Sequence, residues 1–145
     1  MRRIFITIAL LTLPLIAQGI EDKLYKQHGT YKIFFTAFNS SFLSPEIANA
    51  NNIVRGKDKG MVNISVMEEL AVGVPSLVTG RVFNILQQSR ELKFVAVKEG
   101  RSLYYLAPFE FENEDYLTFK ITIQTNDGKP SYPYDFKFQK KMYHD

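Results

Sequence analysis

The chain has 145 residues, a formal charge of +3 from 18 basic and 15 acidic side chains, 14% aromatics, and neither cysteine nor tryptophan. Zero cysteine excludes disulfides, thiolate catalysis and cysteine metal sites, so a folded core must rest on packing alone. The basic excess carries no nucleic-acid or anionic-membrane reading, because part of it belongs to a segment expected to be removed.

That segment is residues 1–19. "MRR" is a charged start, "IFITIALLTLPLIA" is an apolar run of 14 residues, and Ala17 and Gly19 are small residues spaced for cleavage. The pattern is that of a secretory signal peptide, with cleavage expected after Gly19. A spanning helix needs about 20 apolar residues, so a retained anchor is the weaker reading. Removing Arg2 and Arg3 leaves 16 basic against 15 acidic residues, a charge of +1. Residues 20–145 are expected to form one domain that does not span a membrane and binds no nucleic acid. Their 11 Phe and 8 Tyr are the expected replacement for cross-links, since each aromatic buries a large area.

"GTYKIFFTAF" (29–38) reads as a strand with apolar residues on both faces. "SPEIANANN" (44–52) reads as two turns of helix. Ser44 is placed to cap, Pro45 sits where its missing N–H costs nothing, and Glu46 favours the positive dipole end. Ile47, Ala50 and Val54 would share its buried face, and the asparagines would end it. "RGKDKG" (55–60) is a charged loop. "MVNISVM" (61–67) alternates, with Val62, Ile64 and Val66 inward and Asn63 and Ser65 outward.

"LVTGRVFNILQQ" (77–88) reads as one strand, and Gln88 to Arg90 as a reversal into the strand that ends at Gly100. "SLYYLAPFEF" (102–111) follows, then the polar break "ENED" (112–115). "YLTFKITIQT" (116–125) alternates most cleanly, with Leu117, Phe119, Ile121 and Ile123 inward. Asp127-Gly128 marks a turn. "YPYDFKFQKKMY" (132–143) closes the pattern with Tyr134, Phe136 and Phe138 on one face, and Lys137, Lys140 and Lys141 guarding an edge. Seven strands with regular turn signals predict an all-β, antiparallel sandwich or small barrel, with one short helix between strands 1 and 2.

Catalytic signals are thin. Ser40, Ser41 and Ser44 would need a base, and the chain offers only His28 and His144, neither in a nucleophile motif. Asn39-Ser40-Ser41 and Asn63-Ile64-Ser65 match the glycosylation sequon, a short pattern that arises often by chance. Glu68-Glu69 and "ENED" lack calcium-loop spacing and read as solvated turns. No cofactor is expected.

"YKIFFTAFNSSFLSPEIANANNI", "RGKDKGMVNISV" and "YPYDFKFQKKMY" together resemble a family of small exported bacterial proteins catalogued as a domain of unknown function. The shared features here are Thr36 to Ser41, Pro45 to Asn51, Gly60 to Ser65 and Phe138 to Tyr143. Thr36 stands where the pattern has asparagine. The resemblance implies a soluble periplasmic protein of immunoglobulin-like sandwich type and no known activity.

The expectation is a non-enzymatic periplasmic binding or accessory module that takes a protein or peptide partner. Its surface would join Asn39, Ser40, Ser41, Arg55, Asn63 and Ser65, against the plainer reading of a structural crossover. Two alternatives are a carrier of a small apolar ligand, with Phe34, Phe38, Phe83 and Tyr105 lining a pocket between the sheets, and a hydrolase using a serine and His28.

Overall fold

The computed structural model describes residues 25–69 and 72–145. The expected signal segment, 1–19, lies outside the described residues. Among them, nine strands, one short helix and a single 3-10 turn (Ser40–Phe42) are formed. In chain order the elements are β1 (Tyr25–His28), β2 (Tyr31–Asn39), α1 (Pro45–Ala50), β3 (Lys59–Met67), β4 (Ser76–Phe83), β5 (Ser89–Leu92), β6 (Val95–Glu99), β7 (Ser102–Glu110), β8 (Asp115–Thr125) and β9 (Tyr134–Met142).

All strand pairs are antiparallel. One sheet runs β1-β2-β3-β7-β6 and the other β5-β4-β8-β9. Without β1, the first order is that of the A-B-E-D sheet of an immunoglobulin domain. The second is its G-F-C sheet with one further strand, C′, beyond C. The fold is therefore the expected immunoglobulin-like sandwich. Two strands exceed the expected seven. β1 is an added edge on β2. The single strand expected before Gly100 is split, because the chain leaves one sheet after Leu92 and joins the other at Val95.

Alternation places the core as expected. Val62, Ile64 and Val66 of β3, Leu117, Phe119, Ile121 and Ile123 of β8, and Phe136 of β9 are buried between the sheets. Ring packing fills this layer: Phe119 stacks on Phe138 at 4.8 Å, and Phe35 tilts against Phe138 at 4.8 Å. Gly60 is required by that packing, since a Cβ there would lie 2.3 Å from Cζ of Phe109. Gly128 sits at φ 83°, as the expected Asp-Gly turn demands.

A second, smaller core lies on the outer face of the β2-β3-β7 sheet, where Ala48, Ile53, Met61 and Leu106 are buried. It covers Met61, the residue that strict alternation leaves facing out. The consecutive tyrosines divide between the two cores. Tyr105 enters the inter-sheet layer, with its hydroxyl accepting from the Ser76 amide at 2.8 Å, and Tyr104 packs on the outer cluster.

Helix α1 starts as expected: Ser44 Oγ accepts from the Ile47 amide at 3.3 Å, with Pro45 in the first turn. The expected face is wrong. Ile47, Ala50 and Val54 are exposed, and Ala48 is the buried helical residue. The end explains why. Asn52 adopts φ 55°, the Ile53 amide donates to Ala48 O at 2.8 Å, and the Asn52 amide donates to Asn49 O at 3.3 Å. This is a Schellman ending, which folds Ile53 back onto Ala48.

Candidate functional site

One end of the sandwich gathers most of the residues of interest. It carries the α1 segment, the β4–β5 hairpin, the β7–β8 loop and the last three residues.

At the end of β2 the three residues Asn39, Ser40 and Ser41 have different roles. Ser40 is fully buried, donating to Gly56 O at 3.1 Å and accepting from the Gly56 amide at 3.0 Å. It fastens the 3-10 turn to the loop before β3. Asn39 Nδ2 donates to Tyr143 O at 2.8 Å and to one carboxylate oxygen of Asp145 at 2.9 Å. Ser41 Oγ donates to the other oxygen of Asp145, and the Arg55 guanidinium donates to Ser41 O at 3.0 Å. Asn39, Ser41 and Arg55 thus form a polar rim that holds the end of the chain.

Asn63 and Ser65 are not part of that rim. In the β2–β3 register Asn39 faces Gly60, while Asn63 faces Thr36 and Ser65 faces Phe34, further down the outer sheet face. Ser65 is buried and donates to Leu103 O at 3.3 Å. Asn63 Oδ1 is shut off from solvent with no hydrogen-bond partner among the described residues. The six residues expected to form one surface divide into a terminal rim, the buried tie at Ser40 and a covered sheet face.

The expected apolar pocket is not assembled. Tyr105 belongs to the inter-sheet core, whereas Phe34 and Phe38 point to the outer face of their sheet. Phe83 is on the outer face of the other sheet, under Lys120 Nζ at 4.7 Å. Strand pleating separates them, because neighbouring residues face opposite ways. The histidines are also committed. His28 stacks on Tyr134 at 4.5 Å, at the start of β2 rather than at its serine-bearing end. His144 Nε2 lies 3.2 Å from Phe111 O, and its amide donates to Asn113 Oδ1 at 2.9 Å. Among the described residues no three His, Asp or Glu side chains are grouped to hold a metal ion, and no helix is long and apolar enough to cross a membrane.

Sequence reasoning missed a groove on the same end. Two clefts, of about 570 and 820 Å³, share Val82, Arg90 and Glu110. One wall is the β4–β5 hairpin tip, where Ile85 and Leu86 are 72% and 74% exposed. Asn84 builds that tip: its Oδ1 accepts from the amides of Leu86 and Gln88, both at 3.0 Å. An asparagine closing a strand pattern is the signal that could have found this turn. The other wall is the 112–115 loop, closed by Asp115 Oδ2 accepting from the Glu112 amide at 3.3 Å. Glu110 lies between the walls, within 3.1 Å of Lys59 Nζ and 3.7 Å of Arg90. Its hydrogen bond, with the charge of Asp58, holds the Lys59 ammonium above its ordinary pKa.

Residues 25–145 match the model of DUF4426, a domain of unknown function. No curated protein matches the chain. A solved DUF4426 family protein from Pseudomonas aeruginosa PAO1 is 31% identical, with a TM-score of 0.74 over 83% of this chain and 94% of that one. FetP of uropathogenic E. coli strain F11, recombinantly expressed in the periplasm, is 10% identical, with a TM-score of 0.60 over 83% of this chain and 93% of that one. A copper-bound variant of FetP gives 0.61 at 10% identity, over 83% and 94%. At that identity the likeness to FetP is one of fold. The family match spans every described strand, from Tyr25 onward, and with the solved relative it shows that the chain belongs to the DUF4426 family.

Proposed function

We propose that the chain is a periplasmic, non-enzymatic binding or accessory protein that engages a protein partner through the end of the sandwich bearing the β4–β5 hairpin. The observation that carries this reading is the hairpin tip itself. Ile85 and Leu86 stand in solvent on a turn closed by Asn84, beside the groove and at the same end as Asn39, Ser41 and Arg55. Tips of two-stranded turns ordinarily carry polar or small residues. A pair of large apolar side chains presented on a rigid turn has the character of an interface anchor.

Export is supported by the signal-like pattern of residues 1–19. The periplasmic expression of FetP, which shares the fold, agrees with it. The copper of the FetP variant is not carried over. His28 and His144 lie in separate settings, and Met61 and Met142 belong to different cores, so these side chains do not converge on a metal.

A photo-crosslinking residue placed at Leu86, and separately at the exposed Tyr132 on the opposite end, tests the reading in the exporting bacterium. A discrete adduct from position 86 in the periplasmic fraction, absent from position 132, is expected. Equal labelling from both positions, or retention of the chain in the cytoplasm, overturns it.

A further inference from the structure

We propose that the groove between the β4–β5 hairpin tip and the 112–115 loop takes a cationic peptide segment with interspersed apolar side chains, contributed by the partner protein. The inference rests on the binding end proposed above and names the chemistry of its ligand.

The groove joins two kinds of surface. Its apolar part is Ile85 and Leu86 on one wall and Val82, Phe111 and Leu117 at the base. Its charged part is acidic: Asp58, Glu110, Glu112, Glu114 and Asp115 line the larger cleft, with Arg90 as the one cation among the described residues that line it. Arg90 and Lys59 both lean on Glu110. Asp58, Glu112 and Glu114 make no ion pair among the described residues. Residues 20–145 carry a net charge of only +1, so this concentration of carboxylate is local.

Such a field attracts cations and repels anionic ligands, nucleic acid and anionic headgroups alike. The carboxylates do not converge in threes on a point, so the arrangement suits several separate ammonium or guanidinium groups rather than one metal ion. The apolar wall then needs side chains to cover it. A peptide that interleaves Lys or Arg with Leu, Ile or Phe supplies both. The combined volume of the clefts, about 570 and 820 Å³ with shared lining, accommodates several residues.

The walls are built turns. Gln87 and Glu114 both occupy the left-handed region, at φ 62° and 61°. Backbone bonds hold them there, from the Gln87 amide to Asn84 O at 3.0 Å and from the Asp115 amide to Glu112 O at 3.1 Å. A groove with fixed walls loses little conformational entropy when it is filled.

Two labelled decapeptides, one alternating Lys and Leu and the other Glu and Leu, are titrated by fluorescence anisotropy onto the signal-free protein. The Lys–Leu peptide is expected to bind at least tenfold more tightly. The double variant I85S/L86S should weaken it about tenfold. E112Q/E114Q should weaken it severalfold and flatten its dependence on salt. The control variant Glu99→Gln, on β6, should change nothing. Equal binding of the two peptides, or indifference to both double variants, overturns the proposal. If neither peptide binds while the Leu86 crosslink still forms, the ligand class is wrong and the binding end stands. Loss of both results removes both readings.

Discussion

Tyr31 and Asp127 tie the two sheets together at the end away from the groove, where the tyrosine hydroxyl donates to Asp127 Oδ2 at 2.6 Å. That bond holds the Asp127 carboxyl below its ordinary pKa, and the same bond, with burial, holds the Tyr31 phenol above its own. A depressed carboxyl contributes stability above its unfolded pKa and loses it as pH falls through the folded value. A raised phenol contributes below its unfolded pKa and loses it as pH rises through the folded value. The bond therefore acts across the neutral range. Lys59 and Lys129, raised by Glu110 and Glu68, share the alkaline limb, so the acid limb is diagnostic. Tyr31→Phe should lose stability at neutral pH and lose less of it on acidification below about pH 4, where unperturbed carboxyls titrate. Urea midpoints across the acid range check this, and curves parallel to the wild type would refute it. At this scale the sequence tells residue types but not partners. Ser40 answers to Gly56, 16 positions away, and Asn39 to Tyr143, 104 away. Chain closure sets such pairs, and no local spacing encodes them. Likewise nothing local marks Asn63 Oδ1 as enclosed.

Among the elements, α1 separates what is local from what is not. Its start and stop were legible, because a cap, a proline and an asparagine act through bonds a few residues long. Its buried face was not. A helix of six residues is too short to carry a stripe, and Ile53 reaches the core through the ending instead of the helix. Asn52→Val should cost about 1–2 kcal/mol, since a β-branched residue resists φ 55°, whereas Asn52→Gly should be neutral or slightly stabilising. Chemical denaturation of both variants tests the ending, and equal loss in the two would mean that the asparagine side chain matters more than the backbone. The β4–β5 hairpin was hidden for a related reason. "VFNILQQ" continues an apolar pattern across the turn, so the residues that expose the groove read as strand.

The molecule as a whole was the most legible level, because period-two alternation repeated over many strands permits few architectures. What alternation omits is the second core on the outer face. Met61, with no exposed surface, sits there on a strand that also supplies Val62 and Ile64 to the inter-sheet core. The two cores share β3 and β7, so they should melt as one. Met61→Ala should cost about 2–5 kcal/mol and still give a single transition, with far-UV circular dichroism and tyrosine fluorescence coincident. Separate transitions by the two probes would show that the outer core is an independent layer.

The crossing from Leu92 in one sheet to Val95 in the other gives the sandwich a covalent spine along one long side. The opposite side, where β2 meets β9, is closed among the described residues by side chains: the rings of Phe35, Phe136 and Phe138, Lys140 donating to Ala37 O, and the bonds of Asn39 and Ser41 to Tyr143 O and Asp145. Thermal breathing should accordingly open the two sheets like a book, from the β2–β9 side. The groove, with Arg90 on one leaf and Pro108 and Phe109 on the other, lies against the spine. The molecule can flex on its free side while the spacing between the groove walls stays nearly constant.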